Sequence, residues 1–289
     1  MEIIRSVKEM QNKMKELASQ ETIGFVPTMG YFHEGHLALM TEAVSENSIA
    51  ITSIFVNPLQ FGPNEDFDKY PRDEKRDLRL AEETGIDIVF APEQKDMYPV
   101  EMTVAMSMTN RVDTLCGRSR PGHFDGVGTV LTKLFNIISP DRVYFGLKDA
   151  QQVAIVDALI EDLNFPVELI ALPTVREPDG LAKSSRNVNL KTKERKEAVW
   201  LSRALETGRQ MAVDGQQNPA IIVKEVTDLI KNHTSGTTDY VELLSYPNLE
   251  PVHSIDQQVI LAVAVKFSGA RLIDNLIFDA DGNLIRRLR

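Results

Sequence analysis

The sequence predicts an α/β fold, a parallel sheet covered by helices on both faces and followed by a smaller α+β unit. Three observations carry the prediction. Short β-branched runs alternate with helix-period stretches through about residue 175. After Thr174 the order changes to two long helical stretches and then two strand-like runs. With 43% hydrophobic and 26% charged residues, the 289-residue chain has apolar mass for one large domain or two ordinary ones.

Taken in order, residues 23–27 read as a buried strand, and 37–44 begin a helix. Residues 49–56 (IAITSIFV) form a second strand, followed by a long polar loop through Pro71. Helical spacing over 73–84 leads to a strand at 86–90. Apolar residues recur at helical spacing over 131–138; 142–145 is strand-like, 150–163 helical, and 167–172 a further strand. Beyond the change in texture, 192–211 and 219–232 are helical, and 240–244 and 259–267 are strand-like. The DADGN run at 279–283 marks a turn. The boundary falls near Val175, giving parts 1–175 and 176–289.

Composition also excludes. No run approaches the roughly 18 consecutive apolar residues of a membrane-spanning helix. The opening MEIIRSVKEMQNKMKELASQ is charged and amphipathic, without the apolar centre of a leader peptide. Cys116 is the single cysteine and has no partner for an internal disulfide, so a cytoplasmic setting is expected. A net charge of −10 argues against a general nucleic-acid binder, which needs a basic face to displace counterions. An acidic chain that binds phosphates must gather its positive charge locally, so the positions of a few Arg and Lys residues are informative.

The first candidate for chemistry is PTMGYFHEGH at 27–36, which follows a strand and leads into a helix. Glycines let a backbone approach an anion there, and free N–H groups with the helix dipole favour it. Gly30 and Gly35 have the spacing of a P-loop, but His36-Leu37 stand where Lys-Ser/Thr is required, and a P-loop is rejected. His33 and His36, three apart, face one pocket; imidazole donates a hydrogen bond to phosphate and supplies a proton or positive charge as pyrophosphate departs. Zinc is a poor alternative, since partner ligands are not evident.

The second candidate is Lys183-Ser184-Ser185-Arg186-Asn187, two cations bracketing two hydroxyls in a polar loop. Such a run clamps the outer phosphates of a triphosphate as charge shifts toward pyrophosphate. Three further stretches put polar residues at element ends, where open α/β sheets hold ligands: 53–62 (SIFVNPLQFG), 118–127 (RSRPGHFDGV) and 145–152 (FGLKDAQQ). Gln60 and Gln152 are neutral amides suited to a hydroxyl and a carboxylate. Lys148 offers a mobile cation for phosphate, and Asp149 an acceptor for ribose hydroxyls. Asn57 and Arg120 are further substrate-binding candidates from these stretches.

The paired His-x-x-His loop and KSSRN loop resemble those of the nucleotidyltransferases. The combination PTMGxxHEGH, FVNPxQF, RPGHFDGV, KDAQQ and SSRN, over 23–187, resembles the pantoate–β-alanine ligase family, with a weaker match at 270–275 (ARLIDN). The resemblance implies ligation of pantoate to β-alanine with ATP and Mg²⁺, releasing AMP and pyrophosphate. It also implies a Rossmann-like first domain, a smaller lid domain and a homodimer. Carried over, Met29, Gly30, His33, His36, Gly146, Lys148, Asp149, Val175, Lys183, Ser184, Ser185 and Arg186 line the ATP site, with His36 as proton donor. Gln60 and Gln152 hold pantoate, and Asp77 is the metal candidate, with Arg76 occupying the neighbouring acidic position. Leu147 stands where many relatives have Glu, and Lys183 where others have Met or Leu. Two rivals remain: a nucleotidyltransferase with another acceptor, which would not need the glutamines, and a nucleotide-binding module without turnover, which would not need a proton donor.

Overall fold

The computed structural model describes residues 1–17, 21–62 and 67–288. Its larger sheet comprises β1 (Glu2–Ile4), β2 (Ile23–Val26), β3 (Ile49–Ser53), β4 (Ile88–Phe90), β5 (Arg142–Gly146) and β6 (Glu168–Leu172). The strands lie in the order β1-β4-β3-β2-β5-β6, and every neighbouring pair is parallel. Helices α1 (Val7–Glu16), α2 (Glu34–Glu46), α3 (Glu74–Thr84), α4 (Gln94–Met97), α5 (Leu115–Ser119), α6 (His123–Ile138) and α7 (Ala150–Asp162) connect and cover them.

Successive strand side chains alternate between two apolar layers. Val26, Ala50, Val89, Tyr144 and Ile170 pack with α2 and α3, whereas Phe25, Ile51, Phe90, Val143 and Phe145 pack with α6 and α7. Burying a large apolar side chain contributes about 1.5–3 kcal/mol, so a charge on either face would unseat the sheet.

The second unit carries α8 (Thr192–Glu197), α9 (Val199–Val213), α10 (Pro219–His233) and the antiparallel sheet β7 (Thr237–Ser245), β8 (Val259–Lys266) and β9 (Arg271–Phe278). Strand β8 is buried on both faces. Leu261, Val263 and Val265 pack with α9 and α10, while Ile260 and Ala262 join the core of the larger unit. This double burial accounts for its continuous apolar run. At the chain end, Leu288 exchanges backbone hydrogen bonds of 3.0 and 3.2 Å with Ala171 of β6.

The α/β class and its α+β sequel stand as expected, with differences in detail. β1, α1, α4, α5 and β9 are additional to the expected elements, and α6 starts at His123 rather than near 131. The helix expected over 192–211 is interrupted at Ala198. Residues 18–20, and 63–66 of the expected polar loop, lie outside the described residues. Most important for the site, the strand order changes direction between β2 and β5. Ligands of open parallel sheets bind at such a switch point, beyond the carboxyl ends of the strands.

Candidate active site

A cleft of about 240 Å³ opens at that edge, lined by residues that follow β2, β3, β5 and β6. Its floor is the loop after β2. The Thr28 hydroxyl donates to the Ser53 carbonyl at 2.6 Å and accepts the Gly30 N–H at 3.1 Å. Gly30 (φ 82°) and Tyr31 (φ 52°) are both left-handed, a conformation costing a residue with a side chain roughly 1–2 kcal/mol.

Asp77 of α3, 1% exposed, holds this turn by accepting the N–H groups of Tyr31 at 2.6 Å and Phe32 at 2.8 Å. Burial raises its carboxyl pKa, while those two N–H groups oppose the rise. Both oxygens are thereby engaged, and among the described residues no group of three or more His, Cys, Asp or Glu is placed to hold a metal ion. Asp77 therefore acts as a loop anchor, each of its oxygens accepting one backbone N–H. Gly30 likewise shapes the turn and does not line the cleft.

His33 and His36 do line it. His33 caps α2, its Nδ1 accepting the Gly35 N–H at 3.1 Å, and His36 Nδ1 accepts the His33 N–H at 3.3 Å. The rings stack with centroids 4.1 Å apart. With both Nδ1 atoms accepting, each neutral ring carries its proton on Nε2. Burial pushes His33 down to about 4, Lys148 adding to the effect. Burial likewise holds His36 well below its ordinary value, with His33 and Lys148 contributing. Before nucleotide binds, the pair is uncharged at neutral pH. In this state each ring presents an Nε2–H as a neutral hydrogen-bond donor.

Across the cleft stand the 147–149 turn and the 183–186 loop. Lys148 Nζ lies 3.0 Å from Asp149; burial pushes the Asp149 carboxyl up, but Lys148, with Arg186 and His123, together bring it below its ordinary value. Lys183, whose N–H donates to the Val175 carbonyl at 2.9 Å, is held between Glu177 (2.9 Å) and Glu34 (3.1 Å). The Glu177 hydrogen bond, opposed by burial and helped by Glu34, raises its pKa. Ser184 caps the short turn Ser185–Asn189 by accepting the Arg186 N–H at 3.3 Å. The Arg186 guanidinium lies over Tyr70, 6.0 Å from the ring centre. Met29, Gly146, Val175 and Ser185 complete the expected nucleotide residues in the same cleft.

Gln60 and Gln152 line it as well. The Gln60 amide rests against Met29 Sδ at 3.1 Å and accepts from Asn57 at 3.2 Å. Asn57 also donates to the Gly126 carbonyl (3.0 Å) and accepts from Leu59 N–H (3.3 Å) and the Tyr98 hydroxyl (2.9 Å). Asn57 itself lines the cleft and, with its amide engaged on both sides, orients Gln60. Arg120 lies instead in an adjoining cavity of about 800 Å³, which shares Lys148, Asp149, Gln152, Ser184 and Arg186 with the cleft. There Arg120 (3.4 Å) and His123 Nδ1 (2.8 Å) both reach the backbone carbonyl of Gln60. Tyr98, His123, Glu34 and Glu177 are contributors that sequence reasoning missed. Glu34 and His123, each inside a quoted motif, left a readable signal; Tyr98 and Glu177 did not. Leu147, at the position expected to be Glu, is 4% exposed and packs in the core beneath the turn.

Comparison with known proteins places this geometry. The family model described as pantoate-beta-alanine ligase matches residues 2–277. Pantothenate synthetase from Geobacillus sp. (strain WCH70) is 55% identical, covering 96% of this chain and 99% of the relative. That from Bacillus subtilis (strain 168) is 57% identical, covering 96% of each. The crystal structure of pantothenate synthetase from Thermus thermophilus is 42% identical with a TM-score of 0.90, over 96% of this chain and 99% of the other. Pantoate-beta-alanine ligase from Francisella tularensis, described as complexed with Beta-gamma ATP and Beta-alanine, is 34% identical with a TM-score of 0.80, over 96% and 97%. With its motifs gathered in one cleft and these relatives matched nearly end to end, the chain belongs to the pantoate–β-alanine ligase family.

Proposed function

We propose that the chain joins pantoate to β-alanine at the expense of ATP, through a pantoyl-adenylate. One observation carries the reading: the histidine pair, the 183–186 loop and the two glutamines, remote in sequence, face a single cleft. The Francisella relative, described with a nucleotide and β-alanine, supports the same ligands here.

A carboxylate acylates an amine poorly because oxide must leave; adenylation substitutes AMP as leaving group. Gln60 and Gln152 hold the hydroxyl and carboxylate of pantoate without neutralising the nucleophile. The carboxylate attacks the α-phosphate, and the bond to the β-phosphate breaks. Nε2–H groups of His33 and His36, with Lys148, Ser184, Ser185 and Arg186, stabilise charge gathering on pyrophosphate. Asp149 accepts from the ribose hydroxyls. The free amine of β-alanine then attacks the acyl carbon, the carbon–nitrogen bond forms, AMP leaves with the electron pair, and the amine gives up a proton to solvent. A magnesium ion, if carried in on the nucleotide, would supply neutralisation of phosphate charge beside Lys148 and the 183–186 loop.

Three organisational proposals go with this reading. The division near Val175 makes 176–289 a lid over the cleft, keeping water from a hydrolysable anhydride. The family likeness supports a homodimer. It also supports a cytoplasmic setting, and no helix among the described residues is long and apolar enough to cross a membrane.

The deciding experiment mixes purified protein with pantoate and ATP, first without β-alanine. Pyrophosphate formed in one equivalent per site, followed by pantothenate on adding β-alanine, is expected; neither product would remove the proposal. Gln60→Ala and Gln152→Ala should each raise the pantoate KM about tenfold or more. An unchanged value in both would remove the pantoate assignment.

A further inference from the structure

We propose that Asp274-Asn275, in the middle of β9, is a positioning element that grips both triphosphate-facing segments at once; this rests on the nucleotide reading above. Adjacent residues of a strand project to opposite faces, and the pair uses both. Asn275 pairs in register with Ala262, on the face toward the larger unit, and its Nδ2 donates to the carbonyls of Leu147 at 3.0 Å and Lys148 at 2.8 Å. One side chain thereby holds the turn that carries Lys148 and Asp149. Asp274 accepts both guanidinium arms of Arg176, at 2.6 and 2.9 Å. Arg176 bridges to Ala182, and the Lys183 N–H closes on the Val175 carbonyl at 2.9 Å. The position of Arg176 thus fixes where the 183–186 loop begins. A 2.8 Å bond from the Asn275 N–H to Asp274 Oδ1 links the two grips.

A purely structural role fits these residues badly. Asp and Asn are poor strand formers, and this pair is 3% and 7% exposed on a strand whose neighbours are apolar. A buried ion pair is commonly replaced by apolar residues without loss of stability. What an apolar pair would not supply is a fixed separation between two phosphate-binding segments. Displacement of a catalytic group by about 1 Å costs on the order of 10²-fold in rate.

The test is a double-mutant cycle on the full chain, read as kcat/KM for ATP. Asn275→Ala should lower it roughly tenfold in the wild-type background and less than about twofold once Lys148→Ala is present. Asp274→Asn, run against Arg186→Ala, should show the same saturation. Where Asn275→Ala fails to fold, Asn275→Asp keeps the shape and turns an oxygen toward the two carbonyls, with the same expected pattern. Effects that simply multiply in both cycles would overturn the proposal while leaving the ligase reading intact. Lys148→Ala with no effect of its own would overturn the proposal and the role given to Lys148, while the ligase reading would stand or fall on product formation.

Discussion

The two loops that meet over the cleft are built in opposite ways. The loop after β2 is fixed from beneath: Thr28 is tied to Ser53, Asp77 holds Tyr31 and Phe32, and the histidines cap their own helix. It presents neutral donors that need no reorganisation. The 183–186 loop presents cations, and Lys183 is already matched by Glu34, a largely exposed carboxylate, and by the more sheltered Glu177. Fixed neutral dipoles serve charge that develops during reaction, whereas exchangeable ion pairs serve binding and are weak at a surface. The rigid loop should govern kcat, and the charged loop chiefly the KM for ATP.

The largest expected effect tests the rigid side. His36→Ala should lower kcat by about 10²-fold or more, and His36→Asn, which restores an N–H donor, should recover a good part of it. A loss below about threefold in the alanine variant, measured at saturating substrates, would show that this donor is idle. Next comes the anchor. Asp77→Ala leaves two buried N–H groups without acceptors and should destabilise the fold by about 2–4 kcal/mol, with kcat falling alongside; denaturant unfolding checks the first and steady-state assays the second. On the charged side, Lys183→Met should raise the ATP KM by roughly three- to tenfold with little change in kcat, and Glu34→Gln should lower it by a smaller factor. A kcat effect as large as that of His36→Ala would collapse the contrast between the loops.

The smallest effect is in pH. His33 is pushed from 6.5 down to about 4, so between these values the unfolded chain binds more protons than the folded one. Its contribution to stability is complete above about pH 6.5 and is lost as pH falls toward 4. Unfolding midpoints should therefore decline over that window, less so in His33→Gln. In the free enzyme, the NMR titration of both rings should show no step near 6.5.

Much of this was legible in the sequence because the chemistry sits where local pattern is strongest. A strand, a glycine turn and a helix start all mark 23–46, and the ligand-facing motifs fall at element ends. The nucleotide residues expected of 29–36, 146–149 and 175–186 do come together, apart from Gly30, which shapes the backbone. What stayed hidden depends on tertiary pairing. β9 escaped because Arg271, Asp274 and Asn275 break the apolar alternation, their polarity being answered by partners far away in sequence. The part Asn57 plays in orienting Gln60 was hidden because its own four hydrogen bonds are invisible in one dimension. The anchoring role of Asp77 was hidden for the same reason, its two amide partners lying more than forty residues upstream.

The parallel sheet also gives the molecule a sidedness. Every strand runs the same way, so the links that lead into them, such as the one between α7 and β6 around Asn164, emerge on the rim opposite the cleft. Asn164 is already in a left-handed turn there, with Leu163 nearly half exposed. That rim is where a fluorophore, an affinity handle or an inserted domain can be grafted while the chemistry proceeds undisturbed on the other side.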